Sequence, residues 1–314
     1  MGKFSNWAMM LSLSACLALP SACAHEDDHD DDHHDDHHDE HHSATAHAQY
    51  IANEGVLISV NKNGETSKIA FDPLFDNVFG RYTAVPEDMR AKILNGEAPF
   101  DGINVVLISH YHGDHFSPDD MALFLKNNPK ASFVAPKQAV DALMKTSLAA
   151  DLFSSNDDRQ LVVIDLEYGA VPQYHSIGDV TIEAVRIPHA GGEGRRDIQN
   201  IVYRVSVSDE AATVIHMGDA DPEIPFFEPY HDHWNAKRTH TAFPPYWFFL
   251  SEDGRTILDE HLNTDSAIGI HVPDALPDDR EKRSEQFRDL DLFTTPGEVR
   301  PINIDKEETQ TTEQ

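Results

Sequence analysis

The sequence has very little cysteine, with two in 314 residues, Cys16 and Cys23. Both lie near the N terminus, so the folded part of the chain has neither an internal disulfide nor a thiolate ligand for a metal. Basic residues are also scarce, with 24 lysines and arginines against 55 acidic residues and a net charge of −31. Such a charge repels polynucleotides and anionic lipids, and we expect no nucleic-acid partner.

Long apolar runs are missing too. Lys3 precedes the apolar run 7–19, which is too short to span a bilayer but suits the central region of a signal peptide. We therefore expect residues 1–24 to be a signal peptide and the protein to be exported to the periplasm or the cell envelope. The residues around Cys16 and Cys23 resemble lipoprotein cleavage sites, so a lipid anchor at either cysteine, the chain's one expected membrane contact, is an alternative to ordinary cleavage.

Residues 25–42 consist only of histidine, aspartate and glutamate, with eight histidines and ten acids. This stretch has no apolar side chain to bury, so we expect residues 25–47 to be a disordered tract. Neutral imidazoles and ionised carboxylates bind divalent metals, which predicts that the tract holds extra zinc in weak, fluctuating sites. The alternative is a solvated acidic spacer.

Beyond the tract, the pattern changes to short apolar stretches separated by turns, and we expect one folded domain over residues 48–275. A β-hairpin is predicted over residues 56–71. Ser117 and Pro118 predict the start of a helix that the Ser117 side chain caps. Further strands are predicted near 131–135, 161–166, 180–187, 200–207, 212–218 and 267–270, with helices near 137–149 and 255–263. This order predicts an α/β or α+β layered domain, followed by a polar surface tail over residues 276–314.

The chemistry is concentrated in residues 108–116, ISHYHGDHF, which follow a buried strand in the apolar pattern. Residues two apart in extended backbone point to the same side, so His110 and His112 can share one metal ion. Asp114 and His115 are adjacent and can diverge towards a second ion, with the glycine allowing a tight turn between the pairs. A coincidental surface cluster of histidines is the alternative, and the placement at a strand end disfavours it.

Three further candidate ligands, His189, Asp219 and His271, stand where an apolar stretch gives way to a loop. Catalytic and binding groups are often placed on such loops, which a rigid scaffold positions. Each of the three could by itself be an ordinary turn residue. Together with the histidine-rich motif they form a consistent set of metal ligands.

The motifs resemble the metallo-β-lactamase fold superfamily over roughly residues 50–273. The HxHxDH motif of that superfamily stands here as His110, His112, Asp114 and His115. Phe71-Asp72-Pro73 resembles its early strand-ending aspartate, and Met217-Gly218-Asp219 resembles its Gly-Asp motif. Residues 71–75 and 106–110 are most similar to the branch of the L-ascorbate 6-phosphate lactonase-like enzymes and the N-acyl-phosphatidylethanolamine phospholipase D.

This resemblance implies a four-layer αββα sandwich, an α/β (α+β) fold with two sheets face to face and helices outside. It also implies two metal ions. One would be held by His110, His112 and His189. The other would be held by Asp114, His115 and His271, with Asp219 bridging the two. Asp72 would orient a ligand histidine, or could belong to an ordinary Asp-Pro turn.

The activity implied is that of an exported binuclear metal-dependent hydrolase, in which a metal-bridged hydroxide attacks an ester, lactone or phosphodiester bond. Asp114 would hold the nucleophile and move its proton. A site of histidine and aspartate suits two divalent ions, Zn²⁺ or alternatively Mn²⁺ or Fe²⁺. The competing interpretation is a non-catalytic envelope protein that binds and stores zinc, which needs no bridging aspartate.

Two features could contact a small-molecule or lipid-like substrate. Arg195 and Arg196 could clamp a phosphate or carboxylate, or could form ordinary surface salt bridges. Tyr246 and Trp247 belong to an aromatic-rich stretch that could form a wall for an acyl group or could fill the core.

Overall fold

The computed structural model describes residues 44–149, 152–153 and 159–304. The predicted signal peptide, both cysteines and the tract up to residue 43 lie outside the described residues. In the described part, no helix has the length and apolar character needed to cross a membrane.

The described residues form two sheets and eight short α-helices. The strands are β1 Thr45–Ala52, β2 Gly55–Lys62, β3 Glu65–Phe71, β4 Val105–Leu107, β5 Ser132–Pro136, β6 Leu161–Ile164, β7 Gln173–Ile177, β8 Val180–Arg186, β9 Ile201–Val207, β10 Ala212–His216, β11 Thr241–Phe243 and β12 Val299–Ile302. The helices are α1 Glu87–Asn95, α2 Pro118–Asn127, α3 Lys137–Leu143, α4 Ile224–Phe227, α5 His231–Asn235, α6 Trp247–Leu250, α7 Glu252–Thr256 and α8 Glu285–Arg288. The first sheet has the order β12-β1-β2-β3-β4-β5-β6 and the second the order β11-β10-β9-β8-β7.

The apolar side chains divide among three cores, which define four layers. Ile58 of β2 packs between the sheets with Ile182 and Val205 of the second sheet. Its neighbour Leu57 points to the opposite face, as the period of two in a strand requires, and packs in the core that includes Phe124 of α2. A third core lies between the second sheet and the later helices. The predicted αββα sandwich is therefore confirmed, and each large apolar side chain buried in it contributes about 1.5–3 kcal/mol.

Strand directions bring the candidate site residues to one edge of the sandwich. β3 and β4 are parallel neighbours, so Asp72 after β3 and the histidine-rich loop after β4 leave the first sheet at the same edge. β8 and β10 are each antiparallel to β9, so they run in the same direction and also end together. The loops after β8 and β10 carry His189 and Asp219.

Most predicted elements are confirmed, and the errors concern one helix cap, the ends of two helices and one strand that does not form. The hairpin forms with register Lys62↔Glu65. The prediction that the Ser117 side chain caps α2 is wrong, because its hydroxyl donates to Asp76 Oδ2 at 3.1 Å instead. The helix predicted at 137–149 ends at Leu143, and the one predicted at 255–263 begins at Glu252 and continues as a π-turn. Residues 267–270 make isolated bridges and no strand.

Both ends of the folded domain extend beyond the predicted boundaries. β1 begins at Thr45, so the last residues assigned to the tract belong to the first sheet. The predicted surface tail is wrong for residues up to 304, because β12 pairs antiparallel with β1. Phe293, in the same segment, is fully buried and stacks on Tyr50 with ring centroids 5.2 Å apart. In the sequence this short apolar segment is hard to recognise as part of the core, because charged residues lie on both sides of it.

Phe293→Ala should lower the free energy of unfolding by about 3–5 kcal/mol, because it leaves a cavity at a fully buried site. Val299→Thr is the matched control, since Val299 is 55% exposed on β12 and its replacement should change stability by less than about 0.5 kcal/mol. Urea unfolding of both variants measures the difference. Similar, small effects would show that the C-terminal segment does not stabilise the domain.

Candidate metal centre

The histidine-rich loop turns tightly just after β4. The carbonyl of His112 accepts hydrogen bonds from the backbone N–H groups of His115 at 3.0 Å and Phe116 at 2.9 Å. The carbonyl of Gly113 accepts one from the N–H of Asn77 at 3.0 Å. A Cβ at Gly113 would lie 3.1 Å from the Cβ of Asn77, so the close approach of the two loops favours glycine here.

Asp72 holds the start of this loop. Its carboxylate is fully buried and accepts hydrogen bonds from the backbone N–H of Ser109 at 2.8 Å and from its hydroxyl at 2.5 Å. Oδ2 of Asp72 also lies 2.9 Å from Nδ1 of His115. When Nδ1 donates its proton to this carboxylate, Nε2 keeps a free lone pair. The structure therefore places Asp72 where it can orient His115, as the resemblance implies.

The structure brings one set of four predicted ligands together. Nε2 of His110 lies 3.0 Å from Nδ1 of His112, which lies 3.2 Å from Nε2 of His189. Oδ2 of Asp219 lies 3.2 Å from the same His189 nitrogen. Two ligand atoms at tetrahedral positions about 2.0–2.1 Å from zinc are roughly 3.3 Å apart, so these spacings fit one ion.

The remaining predicted ligands form a second set on the other oxygen of Asp219. Oδ1 of Asp219 lies 3.2 Å from Nε2 of His115 and 3.1 Å from Nε2 of His271. Oδ2 of Asp114 lies 3.4 Å from the same His271 nitrogen. In the described part of the chain, both Nε2 atoms and Oδ1 of Asp219 are buried without a hydrogen-bond partner. Because buried polar atoms are rarely left without one, these donor atoms fit a bound cation.

Burial favours the uncharged form of two histidines of the first set, His110 and His112. Burial and the neighbouring His189 and His115 lower the pKa of His112 to about 4. Burial, followed by the same His115, also holds the pKa of His110 well below its ordinary value. Both rings are therefore neutral at pH 7 and offer a lone pair to a metal without first losing a proton.

In the second set, the surrounding charges favour the ionised forms of Asp219 and His115. Burial by itself raises the pKa of Asp219, but His271 and His115 outweigh burial and hold this pKa well below the usual range. Burial lowers the pKa of His115, but Asp219 and Asp72 outweigh it and raise this pKa well above its ordinary value. In the metal-free protein His115 is therefore protonated at pH 7, and a metal ion that binds there displaces this proton.

Sequence reasoning missed Glu54, which lies in the turn between β1 and β2. The pair Asn53-Glu54 looks like an ordinary exposed turn, yet both residues are fully buried. The Glu54 carboxyl lies close to the ligand atoms of Asp219 and His271. Its Oε2 lies 3.3 Å from Nε2 of His216. Among the described residues, neither carboxyl oxygen has a hydrogen-bond partner. Burial, followed by the repulsion of Asp219, raises the pKa of Glu54 despite the opposing effect of His115.

Asn53 links the same turn to two candidate ligands. Its side-chain amide donates to the carbonyl of Asp114 at 2.9 Å, and its own carbonyl accepts from the backbone N–H of His271 at 2.9 Å. His271 has a φ of 59°, a left-handed conformation that is strained for a residue with a side chain. The edge contact with Tyr82, with ring centroids 4.0 Å apart, helps to hold it there. The turn between β1 and β2 therefore supports the candidate metal centre.

The four predicted substrate contacts have different surroundings. Arg195 lines a cavity of about 590 Å³, together with the candidate ligands His112, Asp114 and Asp219. Arg196 instead pairs with Asp221 at 3.4 Å and covers the ring of Phe226 at 4.4 Å. Trp247 packs on the His271 ring at 5.1 Å, and Tyr246 packs on Trp247 at 5.5 Å. These two aromatic residues support a candidate ligand and are not among the residues described as lining the cavity.

Comparisons with known proteins agree with this architecture. A family described as the β-lactamase superfamily domain matches residues 47–227. A search of curated proteins found no match. Among solved structures, Igni18, a metallo hydrolase from Ignicoccus hospitalis, is 14% identical with a TM-score of 0.50, covering 82% of this chain and 99% of its own.

Two further solved structures are similar at lower scores. PqqB from Methylobacterium extorquens, a Zn²⁺-bound structure, is 9% identical with a TM-score of 0.47, covering 81% of this chain and 99% of its own. The metallo-β-lactamase fold protein YhfI from Bacillus subtilis is 13% identical with a TM-score of 0.45, covering 81% and 98%. At these identities the likeness concerns the fold alone.

Asp219→Asn should reduce the tightly held metal from about two equivalents to one or fewer, because the amide is a weak ligand and Asp219 contacts both sets. Metal content after dialysis, measured by plasma mass spectrometry on a chain starting near Ala46, tests this. Asp141→Asn, on the exposed face of α3, is the control and should keep both ions. If the Asp219 variant retained two equivalents of metal, Asp219 would not be a bridging ligand.

Glu54→Gln should weaken the retained metal by about 10- to 100-fold, the usual loss when a group that supports metal ligands is changed. The replacement keeps the volume of the side chain but cannot ionise, whereas divalent ions bound nearby would favour the carboxylate of Glu54 over the neutral form that its raised pKa indicates. Competition with a calibrated chelator measures the affinity, and Glu87→Gln, at the exposed start of α1, is the control. An unchanged affinity would make Glu54 a packing residue.

Proposed function

Because the chain belongs to the β-lactamase superfamily domain family, we propose that it is a binuclear metal-dependent hydrolase of ester, lactone or phosphodiester bonds. The observation that carries the proposal is the pair of ligand sets that share Asp219 and border a cavity. When bound, two divalent ions supply Lewis acidity, which lowers the pKa of water and polarises the scissile bond. The rest of the catalytic task falls to the side chains of the site.

Seven side chains would hold the ions. His110, His112, His189 and Asp219 form the first set, and Asp114, His115 and His271, with the other oxygen of Asp219, form the second. The set contains nitrogen and oxygen donors only, which favours Zn²⁺ and is compatible with Mn²⁺ or Fe²⁺. Asp72 and Asn53 keep two of the supporting loops in place, so little rearrangement is needed on binding.

Asp114 is the candidate for proton transfer. It lines the cavity next to His112, and its Oδ2 is the carboxylate oxygen nearest to Nε2 of His271 after Asp219 Oδ1. His271 and His115 outweigh the effect of burial and lower the pKa of Asp114, so the group is ionised at pH 7 and can accept a proton. A carboxylate in this position can orient an attacking water and then pass the proton to the leaving group.

Within the family, we place the chain nearest to the branch of the lactonase-like enzymes and the phospholipase D named above. His115 directly after Asp114, together with the Asp72-Pro73 strand end, supports this choice over β-lactam hydrolysis. The competing zinc-storage function is less favoured, because storage needs neither a shared carboxylate nor a cavity bordered by ligands.

The metal-loaded protein should hydrolyse at least one compound in a panel of lactones, carboxylic esters and phosphodiesters, with β-lactams as the comparison class. Chelation should abolish turnover and added metal should restore it. Asp114→Asn should lower kcat by about 10²- to 10⁴-fold, the range typical of a lost proton-transfer group. Two tightly held ions with no turnover of any class would instead support the storage function.

A further inference from the structure

The cavity beside the metal centre is lined by two arginines, Arg81 and Arg195. The chain has thirteen arginines, and ten of their side chains hold a hydrogen bond to a carboxylate or a carbonyl. Within the described residues, hydrogen bonds and ion pairs are absent from the side chains of Arg81, Arg195 and Arg288. Two of these three guanidinium groups therefore meet at one cavity, the one that borders the candidate ligands.

Both arginines stand on backbone that is held in place. The carbonyl of Arg81 accepts a hydrogen bond from the N–H of Asp274 at 2.9 Å, and the next residue, Tyr82, packs on the candidate ligand His271. Arg195 ends a short 3₁₀ turn that follows His189. Its stem lies against Gly191, where an added Cβ would come within 3.0 Å of the Arg195 Cδ. These contacts position both arginines beside the cavity, and their guanidinium N–H donors remain available to a ligand.

The charge of the whole chain makes this pair informative. At a net charge of −31 the protein repels anions, and an anionic substrate needs a local positive region to approach the site. The cavity also contains Asp197, so two guanidinium groups face one carboxylate that is not a candidate ligand. Guanidinium groups bind carboxylates and phosphates through paired N–H donors, which makes an anion the matching ligand.

Aromatic side chains line the same cavity. Phe79 is 56% exposed and Tyr111 is 40% exposed, and both are among the cavity-lining residues. Large apolar side chains left open beside a polar site provide contact area for the organic part of a ligand. The cavity therefore combines cationic donors with an apolar surface.

We propose that Arg81 and Arg195 form an anion subsite, so that the substrate carries a carboxylate or phosphate group separate from the bond that is cleaved. The body of the substrate packs on Phe79 and Tyr111 while the anion binds the guanidinium pair. This proposal rests on the proposed hydrolase function, and it deepens that function by naming the substrate class.

The kinetic test compares two esters that differ in a remote charge, 4-nitrophenyl hydrogen glutarate and 4-nitrophenyl pentanoate, on the metal-loaded full chain at constant ionic strength. The kcat/KM value for the charged glutarate ester, divided by that for the neutral pentanoate ester, should fall by about tenfold in Arg81→Ala and in Arg195→Ala. This is the fall expected for the loss of a charge-assisted hydrogen bond. Arg288→Ala is the control, because Arg288 is exposed on α8 and is not among the cavity-lining residues, and it should keep the wild-type ratio.

A binding test gives a readout that does not need turnover. Calorimetry of the metal-loaded protein with phenylacetate, benzylphosphonate and benzyl alcohol measures affinity for a carboxylate, a phosphonate and a neutral analogue. Arg81→Ala and Arg195→Ala should each weaken the better anion by about tenfold, and which anion binds better identifies the group.

The outcomes separate the two proposals. Turnover of the esters with an unchanged charge ratio and unchanged anion affinity in both arginine variants overturns the subsite and leaves the hydrolase function standing. Loss of anion affinity in both variants without turnover of any ester, lactone or phosphodiester supports the subsite and overturns the hydrolase function.

Discussion

The buried carboxylate of Asp219 is the interaction on which the site depends. One of its oxygens contacts His189 and the other contacts His115 and His271, at 3.1–3.2 Å. A carboxylate with so little access to water requires positive charge close by, since an unpaired buried charge costs several kcal/mol. The His115 imidazole, whose pKa is raised, supplies part of this charge, and two divalent ions bound beside Asp219 would supply more. The convergence of so many candidate ligands around this carboxylate agrees with a site for bound cations at one edge of the sandwich.

Rigid backbone on all sides holds this arrangement. Asp72, at the end of β3, contacts Ser109 and His115. Asn53, in the turn between β1 and β2, contacts the backbone of Asp114 and His271. Both supports come from the first sheet, whose two faces pack in two separate cores. Errors of a fraction of an ångström in ligand position weaken a metal site, and buried supports of this kind restrict such errors. The left-handed backbone of His271 is held by the hydrogen bond from its N–H to the carbonyl of Asn53.

The sequence predicted the fold and the candidate ligands because both depend on local patterns. The apolar strand before His110 and the strand ends before His189 and Asp219 are visible in a single chain. Glu54 was not predictable in this way, because a polar pair between two strands is the usual signature of an exposed turn and its burial arises only when the sheets pack. The same holds for the C-terminal segment, where Phe293 precedes β12 and Ile302 ends it, in a stretch rich in polar and charged residues. Arg81 also carries no local motif, and only the tertiary structure brings it to the cavity of Arg195.

The central claim is that two metal ions share Asp219 between two sets of side chains. Anomalous X-ray diffraction from crystals of the zinc-loaded protein, collected at the zinc absorption edge, tests it directly. The account predicts two anomalous peaks, one on each side of the Asp219 carboxylate and about 3.5–4 Å apart. One peak would lie among His110, His112 and His189, and the other among Asp114, His115 and His271. A single peak, or peaks confined to other residues, would contradict it.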